Sequence, residues 1–241
     1  MSALSYVYAV MFYLAAFILV TGVLRRVWRY ARTPAPLKIP TTPAPMTPLG
    51  VCGRLFREVV LFQSLYKASK WTWLFGWVFH FGLFVAALRH LQYVTDPPWI
   101  WVIQLHTVAN YTGYAITFGL IGLWGRRLFV DRVRYITTPS DHLMIALILA
   151  IAGTGLLMKF VWYADVASLR QFMLGLIVFD IRTLPGDPVL LIHLALVIAL
   201  MMVFPISKLL HAPGIFFSPT LNQSDSSRER RYSPGRGSTR G

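Results

Sequence analysis

The sequence predicts an all-α membrane protein with five transmembrane helices, its N-terminus outside and its C-terminus inside. Three observations support this fold class. The 241 residues are 56% hydrophobic and only 13% charged, with a mean hydropathy of +0.57, which is more apolar than a soluble domain of this length. Five apolar runs reach the length of about 20 residues that spans a bilayer. The basic residues lie almost entirely in the loops on one side of these runs.

The predicted transmembrane helices cover residues 4–24, 72–93, 99–124, 142–163 and 188–210. The first and third contain no charged residue. Arg89 and Lys159 lie near an end of the second and fourth, where long basic side chains can reach the interface. The first run is not preceded by a basic segment or followed by a clear cleavage site, so we expect a retained helix rather than a removed signal peptide.

The segments between and after the helices have distinct compositions. Prolines recur through residues 33–48, which predicts an extended, polyproline-like strap. Residues 53–70 have apolar side chains close to helical spacing, which predicts an amphipathic helix at the membrane interface or against a partner. Leu169 to Phe179 is apolar enough to lie on the outer membrane surface. We therefore predict a membrane domain, residues 1–217, followed by a disordered basic tail, residues 218–241.

The distribution of charge sets the predicted orientation. The net charge is +14, and 19 of the 23 basic residues fall in the segments that would share one side of the membrane. Only Arg170 and Arg182 fall in the loops of the other side. Because Lys and Arg accumulate on the cytoplasmic side, this pattern places the C-terminus inside. Topology thus explains the basicity, and we expect no nucleic acid among the partners.

The chain has a single cysteine, Cys52, in a predicted inside loop. One cysteine can form neither an internal disulfide nor an iron–sulfur cluster, which needs several thiolate ligands. Any cluster that exchanges electrons with this chain must therefore belong to a partner protein.

Four histidines lie in two of the apolar runs, and ionisable groups inside a membrane are costly and usually functional. His80 and His90 are on the second predicted helix, and His193 and His211 are on the fifth. The two helices run in opposite directions. They therefore offer an outer pair, His90 with His193, and an inner pair, His80 with His211. Each pair could supply the two axial ligands of one b-type haem, which would suit electron transfer rather than oxygen binding.

The spacings within the two helices are unequal. His80 and His90 are separated by a rise of about 15 Å, whereas His193 and His211 would be about 27 Å apart on a straight helix. The fifth helix must therefore bend or end early, and Pro205 is a common cause of such a break. Two alternatives remain at this point: four unrelated histidines bonded to nearby carbonyls, and a zinc or copper site. The second lacks an obvious carboxylate or thiolate ligand.

Three further residues have candidate roles. His106 lies at about the predicted depth of His90 and could be structural or interfacial, or could accept a proton from, or donate a hydrogen bond to, a quinone near the outer haem. Arg89, beside His90, is a second candidate for the quinone site; it could also pair with a haem propionate or simply extend to the interface. His142, at the inner start of the fourth helix, could be structural or interfacial.

The spacing of the four histidines resembles that of the nitrate reductase gamma subunit family, the NarI-like five-helix di-haem cytochromes b. Two further stretches are similar to it: the inner loop from Arg126 to Asp141 and the segment from Phe204 to His211. The resemblance extends from about residue 71 to residue 211. It implies an outer haem on the outer pair, an inner haem on the inner pair, a quinone near the outer haem, and an iron–sulfur partner near the inner one.

The sequence departs from that family in ways that indicate a particular branch. A glycine precedes the outer histidine of the second helix in the nitrate reductase subunit, whereas this chain has Arg89. The stretch from His211 to Pro219 looks more like the membrane cytochrome b of the complex associated with dissimilatory sulfite reductase. That resemblance implies a cytoplasmic iron–sulfur partner similar to heterodisulfide reductase, a periplasmic multihaem cytochrome c and further membrane subunits, in the cytoplasmic membrane of a prokaryote.

The sequence thus favours a quinone-reactive electron-transfer subunit of a multisubunit oxidoreductase, and the resemblance to its branch implies a role in sulfur metabolism. A nitrate reductase gamma subunit is the alternative within this class. A haem-free membrane anchor, which would dock a soluble complex through the strap and basic loops, is the alternative from another class. A transporter is not favoured, because no paired broken helices or membrane carboxylates are evident.

Overall fold

The computed structural model describes residues 2–35, 40 and 43–225, and within these residues it contains helices and no strand. In chain order, the α-helices are α1 (Ala3–Arg32), α2 (Pro48–Leu61), α3 (Gln63–Ala68), α4 (Lys70–His90), α5 (Ile100–Gln104), α6 (His106–Ala109), α7 (Thr112–Phe129), α8 (Asp131–Tyr135), α9 (Pro139–Phe160), α10 (Val166–Ile177), α11 (Pro188–Val203), α12 (Ala212–Phe217) and α13 (Pro219–Asn222). Short 3₁₀ turns follow α4 at Leu91–Tyr93 and α11 at Phe204–Ile206.

Four helical segments in the described part of the chain are long and apolar enough to cross a membrane. They are Ala3–Arg32, Lys70–Tyr93, Pro139–Phe160 and Pro188–Ile206. Many apolar side chains on them are exposed, such as Val10, Phe17 and Phe84, as expected for surfaces that face lipid rather than water. The all-helical membrane fold is therefore confirmed in outline, while five spans and the sides on which the termini lie stay predictions.

The third predicted span differs from the single helix expected over residues 99–124. The segment is divided into α5, α6 and α7, with breaks at Leu105 and at Asn110–Tyr111. At the second break, the Tyr111 amide bonds three residues back to Val108 at 3.1 Å. The Thr112 hydroxyl also donates a hydrogen bond to the Ala109 carbonyl oxygen at 2.8 Å. Polar side chains that compete for backbone groups in this way interrupt a helix even where the surrounding sequence is apolar.

The described residues fall into two compact units, one within Met1–Val20 and Leu65–Phe204 and the other within Thr21–Ser64 and Pro205–Gly241. In the first unit, the start of α1 packs with α10 and α11 around Phe172, Leu190 and Ile198, which are almost fully buried. The Ser5 hydroxyl is also buried there and accepts a hydrogen bond from the Leu184 amide at 3.0 Å. The segment predicted to lie on the membrane surface, residues 169–179, instead directs the α10 side chain of Phe172 into this core.

Helices α4 and α7 are held close together by glycines. A Cβ atom at Gly119 would lie 2.7 Å from the Phe75 carbonyl oxygen and 2.8 Å from the Phe79 amide nitrogen. A Cβ atom at Gly82 would lie 3.2 Å from that of Ala115. Only glycine therefore allows this approach, which fixes the position of α4 and the two histidines on it. Helix α9 packs in turn against both α7 and α11.

The second unit contains the end of α1, α2, α12 and α13. A Cβ atom at Gly22 would lie 2.5 Å from the Pro205 Cβ atom, and Arg26 Nη2 donates to the Pro205 carbonyl at 3.3 Å. The amphipathic helix predicted over 53–70 is divided into α2 and α3 at Phe62, whose φ of 50° is left-handed. Several of its apolar side chains are exposed, including Phe56, so its predicted interfacial or docking role stays a prediction.

Two other predictions concern the ends of helices. Helix α11 ends at Val203, two residues before Pro205, which confirms that the fifth helix ends early. The tail predicted to be disordered from residue 218 begins instead with the short helix α13. The rest of that tail, residues 226–241, lies outside the described residues, as do residues 36–39 and 41–42 of the proline-rich strap.

Candidate functional site

The first unit contains both His90 and His193. His90 is the last residue of α4, and its Nδ1 lies 2.6 Å from the Ala86 carbonyl oxygen. His193 lies in the first half of α11, and its Nδ1 is 2.9 Å from Thr154 Oγ1 on α9. Both residues of the predicted outer pair therefore lie within one compact unit, and their pairing stays a prediction.

The other two histidines have similar local contacts. His80 Nδ1 is 2.7 Å from the Gly76 carbonyl oxygen, one turn back along α4. His211 precedes α12 in the second unit, and its Nδ1 is 3.1 Å from the Lys208 carbonyl oxygen. Since the two histidines belong to different units, the predicted inner pair stays a prediction.

The hydrogen-bond partners indicate the tautomer of three histidines. A carbonyl oxygen can only accept, so Nδ1 of His80, His90 and His211 must carry the proton in these contacts, and metal ligation would fall to Nε2. Histidines that ligate a metal usually donate their second ring N–H in this way, which fixes the ring and raises its basicity. Paired imidazoles are the axial ligands that a b-type haem iron takes. These residues therefore fit haem as a cofactor.

A metal ion held by three or more protein side chains would be a different kind of site from a haem with two histidine ligands. Among the residues that the structure describes, no group of three or more His, Cys, Asp or Glu side chains could hold a metal ion.

A cluster of polar side chains lies beside His90, and we call it the Arg89 cluster: Arg89, Gln92, His106, Asn110 and Lys159. Arg89 donates to the Gln92 side-chain oxygen and lies 3.1 Å from His106 Nδ1 through its Nη2 atom. Because a guanidinium is always a donor, Nδ1 of His106 must accept, and its proton is on Nε2. Arg89 and His106, which the sequence indicated as candidates for a quinone site, are thus hydrogen-bond partners.

Lys159 enters the same cluster from α9. Its ammonium donates to Asn110 Oδ1 and interacts electrostatically with Arg89. Neither cation forms an ion pair with a carboxylate in the described part of the chain. Two adjacent cations with only neutral partners can donate to an oxygen-rich ligand or stabilise negative charge that develops on it. The sequence suggested only an interfacial position for Lys159, because nothing in it shows that residues 89 and 159 meet.

His142 belongs to a different network, which we call the Asp141 network: Trp124, Arg127, Thr138, Asp141 and His142. The Trp124 indole donates to His142 Nδ1 at 2.9 Å. Asp141 is buried, accepts from the Thr138 amide at 2.9 Å in a capping box, and lies 3.8 Å from Arg127. The Trp124–His142 contact thus joins α7 to the start of α9, and a structural role for His142 stays a prediction.

Membrane-length helices in which Nδ1 of each of four histidines contacts an oxygen atom are typical of one class, the helical membrane proteins suited to bind haem. The family model described as nitrate reductase gamma subunit matches residues 64–222, and this chain belongs to that family. The matched region includes all four histidines and the whole Arg89 cluster. Membership confirms the resemblance to NarI-like cytochromes b and makes the chain a multi-pass membrane protein.

Two curated relatives are similar over nearly the whole chain. The first is the Hdr-like menaquinol oxidoreductase cytochrome b-like subunit of Archaeoglobus fulgidus, which is 33% identical over 91% of this chain and 80% of the relative. The second has the same name in Archaeoglobus profundus and is 30% identical over 96% of this chain and 83% of the relative. The names of both relatives describe a cytochrome b-like subunit of an Hdr-like menaquinol oxidoreductase.

Proposed function

We propose that this protein is the di-haem cytochrome b subunit of a quinone-linked membrane oxidoreductase, and that it passes electrons between a quinone pool and a cytoplasmic iron–sulfur partner. The observation that best supports this is that Nδ1 of each of the four histidines contacts an oxygen atom, which leaves Nε2 for a metal. The names of the two relatives favour menaquinol as the quinol and an Hdr-like protein as the partner. They favour this branch over a nitrate reductase subunit.

His90 and His193 are the proposed ligands of the outer haem, and His80 and His211 are those of the inner haem. The contacts of Nδ1 with a backbone carbonyl oxygen, or with the Thr154 hydroxyl in the case of His193, would hold each imidazole with Nε2 towards the iron. Bound haem supplies a one-electron couple, and two histidine ligands leave no open coordination position on the iron. The helices place the imidazoles, and the groups around Nδ1 tune their basicity.

The Arg89 cluster is the proposed quinone site, next to the outer pair. Its geometry supports a hydrogen-bond donor role for His106, because Arg89 occupies Nδ1 and the proton lies on Nε2. Arg89 and Lys159 would donate hydrogen bonds to a quinone oxygen and stabilise negative charge on it. Asn110 and Gln92 hold the two cations in place through neutral oxygens.

The remaining parts of the proposal concern topology and assembly. We propose that the broken segment from α5 to α7 completes a fifth crossing, with the N-terminus outside and the C-terminus inside the cytoplasmic membrane of a prokaryote. The basic inside loops would then face the Hdr-like iron–sulfur subunit. A periplasmic multihaem cytochrome c, further membrane subunits and a role in sulfur metabolism complete the proposal.

The test is a haem count combined with quinol-driven reduction. The protein purified in detergent should contain two b haems per chain by the pyridine haemochrome assay. Both should be reduced by a soluble menaquinol analogue under anaerobic conditions, as followed in the reduced-minus-oxidised spectrum. A folded, membrane-inserted chain that contains no haem would contradict the proposal and favour the haem-free anchor. Two haems that dithionite reduces and the menaquinol analogue does not would contradict the quinone step alone.

A further inference from the structure

His193 differs from the other three histidines in the group that holds its Nδ1. His80 and His90 each contact a backbone carbonyl four residues back, and His211 contacts one three residues back. His193 instead contacts a side-chain hydroxyl, Thr154 Oγ1, on another helix and 39 residues away. A backbone carbonyl persists whatever side chain is substituted, whereas a threonine hydroxyl can be removed by one substitution.

The hydrogen bonds of Thr154 fix the direction of this contact. Its hydroxyl lies 2.8 Å from the Ala150 carbonyl oxygen and 3.0 Å from that of Ile151. A hydroxyl has one proton, which these two acceptors share, so its oxygen must accept from the imidazole. His193 therefore carries its proton on Nδ1 and a lone pair on Nε2. The Ile151 carbonyl also faces this imidazole, but the threonine oxygen is the atom at hydrogen-bond distance.

Glycines flank Thr154 on α9, and a side chain would fit at either position. A Cβ atom at Gly155 would lie in ordinary contact, 3.6 Å from His193 Cε1, and one at Gly153 would have no neighbour within 4 Å. The Thr154 hydroxyl is therefore the group of this stretch that positions the imidazole. His193 itself is on α11, so the contact also joins two helices.

We infer that Thr154 is the positioning residue of His193, which selects the tautomer that ligates through Nε2 and sets the potential of one haem independently of the other. The inference rests on the proposed function, since it takes His193 as a haem ligand. An Nδ1–H hydrogen bond increases the basicity of a ligating imidazole and favours the oxidised iron. Loss of the hydroxyl should therefore raise the midpoint potential of the haem that His193 holds.

The experiment is a redox titration of the purified protein and of four threonine variants. Thr154→Val and Thr154→Ala remove the hydroxyl, and Thr154→Ser keeps it. Thr112→Val is the matched control, because the Thr112 hydroxyl donates to the Ala109 carbonyl oxygen, three residues back on the chain, at 2.8 Å. His193→Ala, which should lack the corresponding haem, identifies which of the two potentials belongs to it.

The expected result is that the valine and alanine variants retain two haems and raise the potential of the His193 haem only. The reduced-to-oxidised ratio at a fixed potential should rise about tenfold, which is about 59 mV for a one-electron couple. Serine should restore the parent potential, and Thr112→Val should leave both potentials unchanged. If the valine variant loses haem, the comparison of Thr154→Ser with Thr154→Ala tests the inference instead, because these two side chains differ only in the hydroxyl.

Two results would overturn the inference. One is a parent-like potential in both hydroxyl-free variants while two haems are present. The other is an equal change in both potentials, or the same change in Thr112→Val, which would indicate a general effect on packing. A parent protein without haem would instead contradict the proposed function, so the two failures are distinguishable.

Discussion

The charged side chains of the Arg89 cluster and of the Asp141 network have opposite kinds of partner. In the Asp141 network, the carboxylate is buried, caps α9 and lies 3.8 Å from Arg127. In the Arg89 cluster, two cations are neighbours and bond only to neutral oxygens and a histidine nitrogen. The cluster includes the ends of α4 and α9, and the network includes the end of α7 and the start of α9, so a position at helix ends does not by itself explain the difference.

The difference separates a structural set of polar residues from a ligand-binding one. A network whose charges and hydrogen bonds are mutually satisfied stabilises the junction of two helices and has little to offer a ligand. Adjacent cations without a counter-charge repel each other, and that cost would fall if an oxygen-rich ligand accepted from both. The comparison therefore predicts that substitutions in one region alter quinone chemistry and those in the other alter stability.

The largest effect should follow from loss of either cation of the Arg89 cluster. Arg89→Gln or Lys159→Met should reduce the rate of quinol-driven haem reduction about tenfold or more, because a preorganised donor near developing charge is lost. The haem spectra should be unchanged. Stopped-flow reduction with a menaquinol analogue measures this, with exposed Arg132→Gln as the control. A parent-like rate in both variants would remove the distinction between the two regions.

A substitution in the Asp141 network should instead lower stability. Asp141→Ala removes the side chain that accepts from the Thr138 amide and faces Arg127, and loss of such a cap costs about 0.5–2 kcal/mol. The thermal unfolding midpoint in detergent should fall, while the rate of quinol-driven reduction stays that of the parent. An unchanged midpoint would show that this carboxylate does not stabilise the junction.

A smaller effect is expected from the indole contact in the same network. Trp124→Phe keeps the aromatic ring but removes the donor to His142 Nδ1, and a neutral hydrogen bond contributes about 0.5–1.5 kcal/mol. We expect a modest fall in the unfolding midpoint and little further change when His142→Gln is combined with it. Additive losses in the double variant would mean that the two residues act independently.

The smallest effect concerns Asp165, a fully exposed cap outside both regions. Hydrogen bonds from Ser168 hold the pKa of Asp165 below its ordinary value of 3.8. Because the folded-state pKa is the lower one, the stabilisation is present above 3.8 and is lost as pH falls through the folded pKa. Protection of the first turn of α10 against hydrogen exchange should fall with acidification. In Asp165→Asn, which cannot titrate, that protection should not depend on pH.

Much of the fold could be predicted from the sequence, because hydropathy and length determine which helices can cross a membrane. Four of the five predicted apolar runs correspond to helices that are long and apolar enough to cross a membrane. Pro205 indicated that the fifth helix would bend or end early, and α11 ends at Val203. The breaks in the third run were missed, since they depend on side-chain bonds such as that of Thr112, not on hydropathy. The burial of Phe172 was missed because membrane surface and protein core select the same apolar residues.

The candidate site was predictable only in part. The four histidines stand out because ionisable residues are rare in membrane-length runs. Thr154 gave no comparable signal, since a threonine in a helix is common and its contact with His193 crosses from one helix to another. Lys159 was visible as a charge near a helix end, but its contact with Asn110 depends on how α9 meets the broken third segment.

The central claim is that the four histidines hold two haems in fixed pairs, and haem stoichiometry in double variants tests it most directly. His90→Ala and His193→Ala should each leave one haem per chain by the pyridine haemochrome assay, and so should the two together, because they remove ligands of the same haem. His80→Ala combined with His90→Ala should leave none, while His142→Ala should retain two. One haem in the His80/His90 double variant, or none in the His90/His193 double variant, would contradict the pairing.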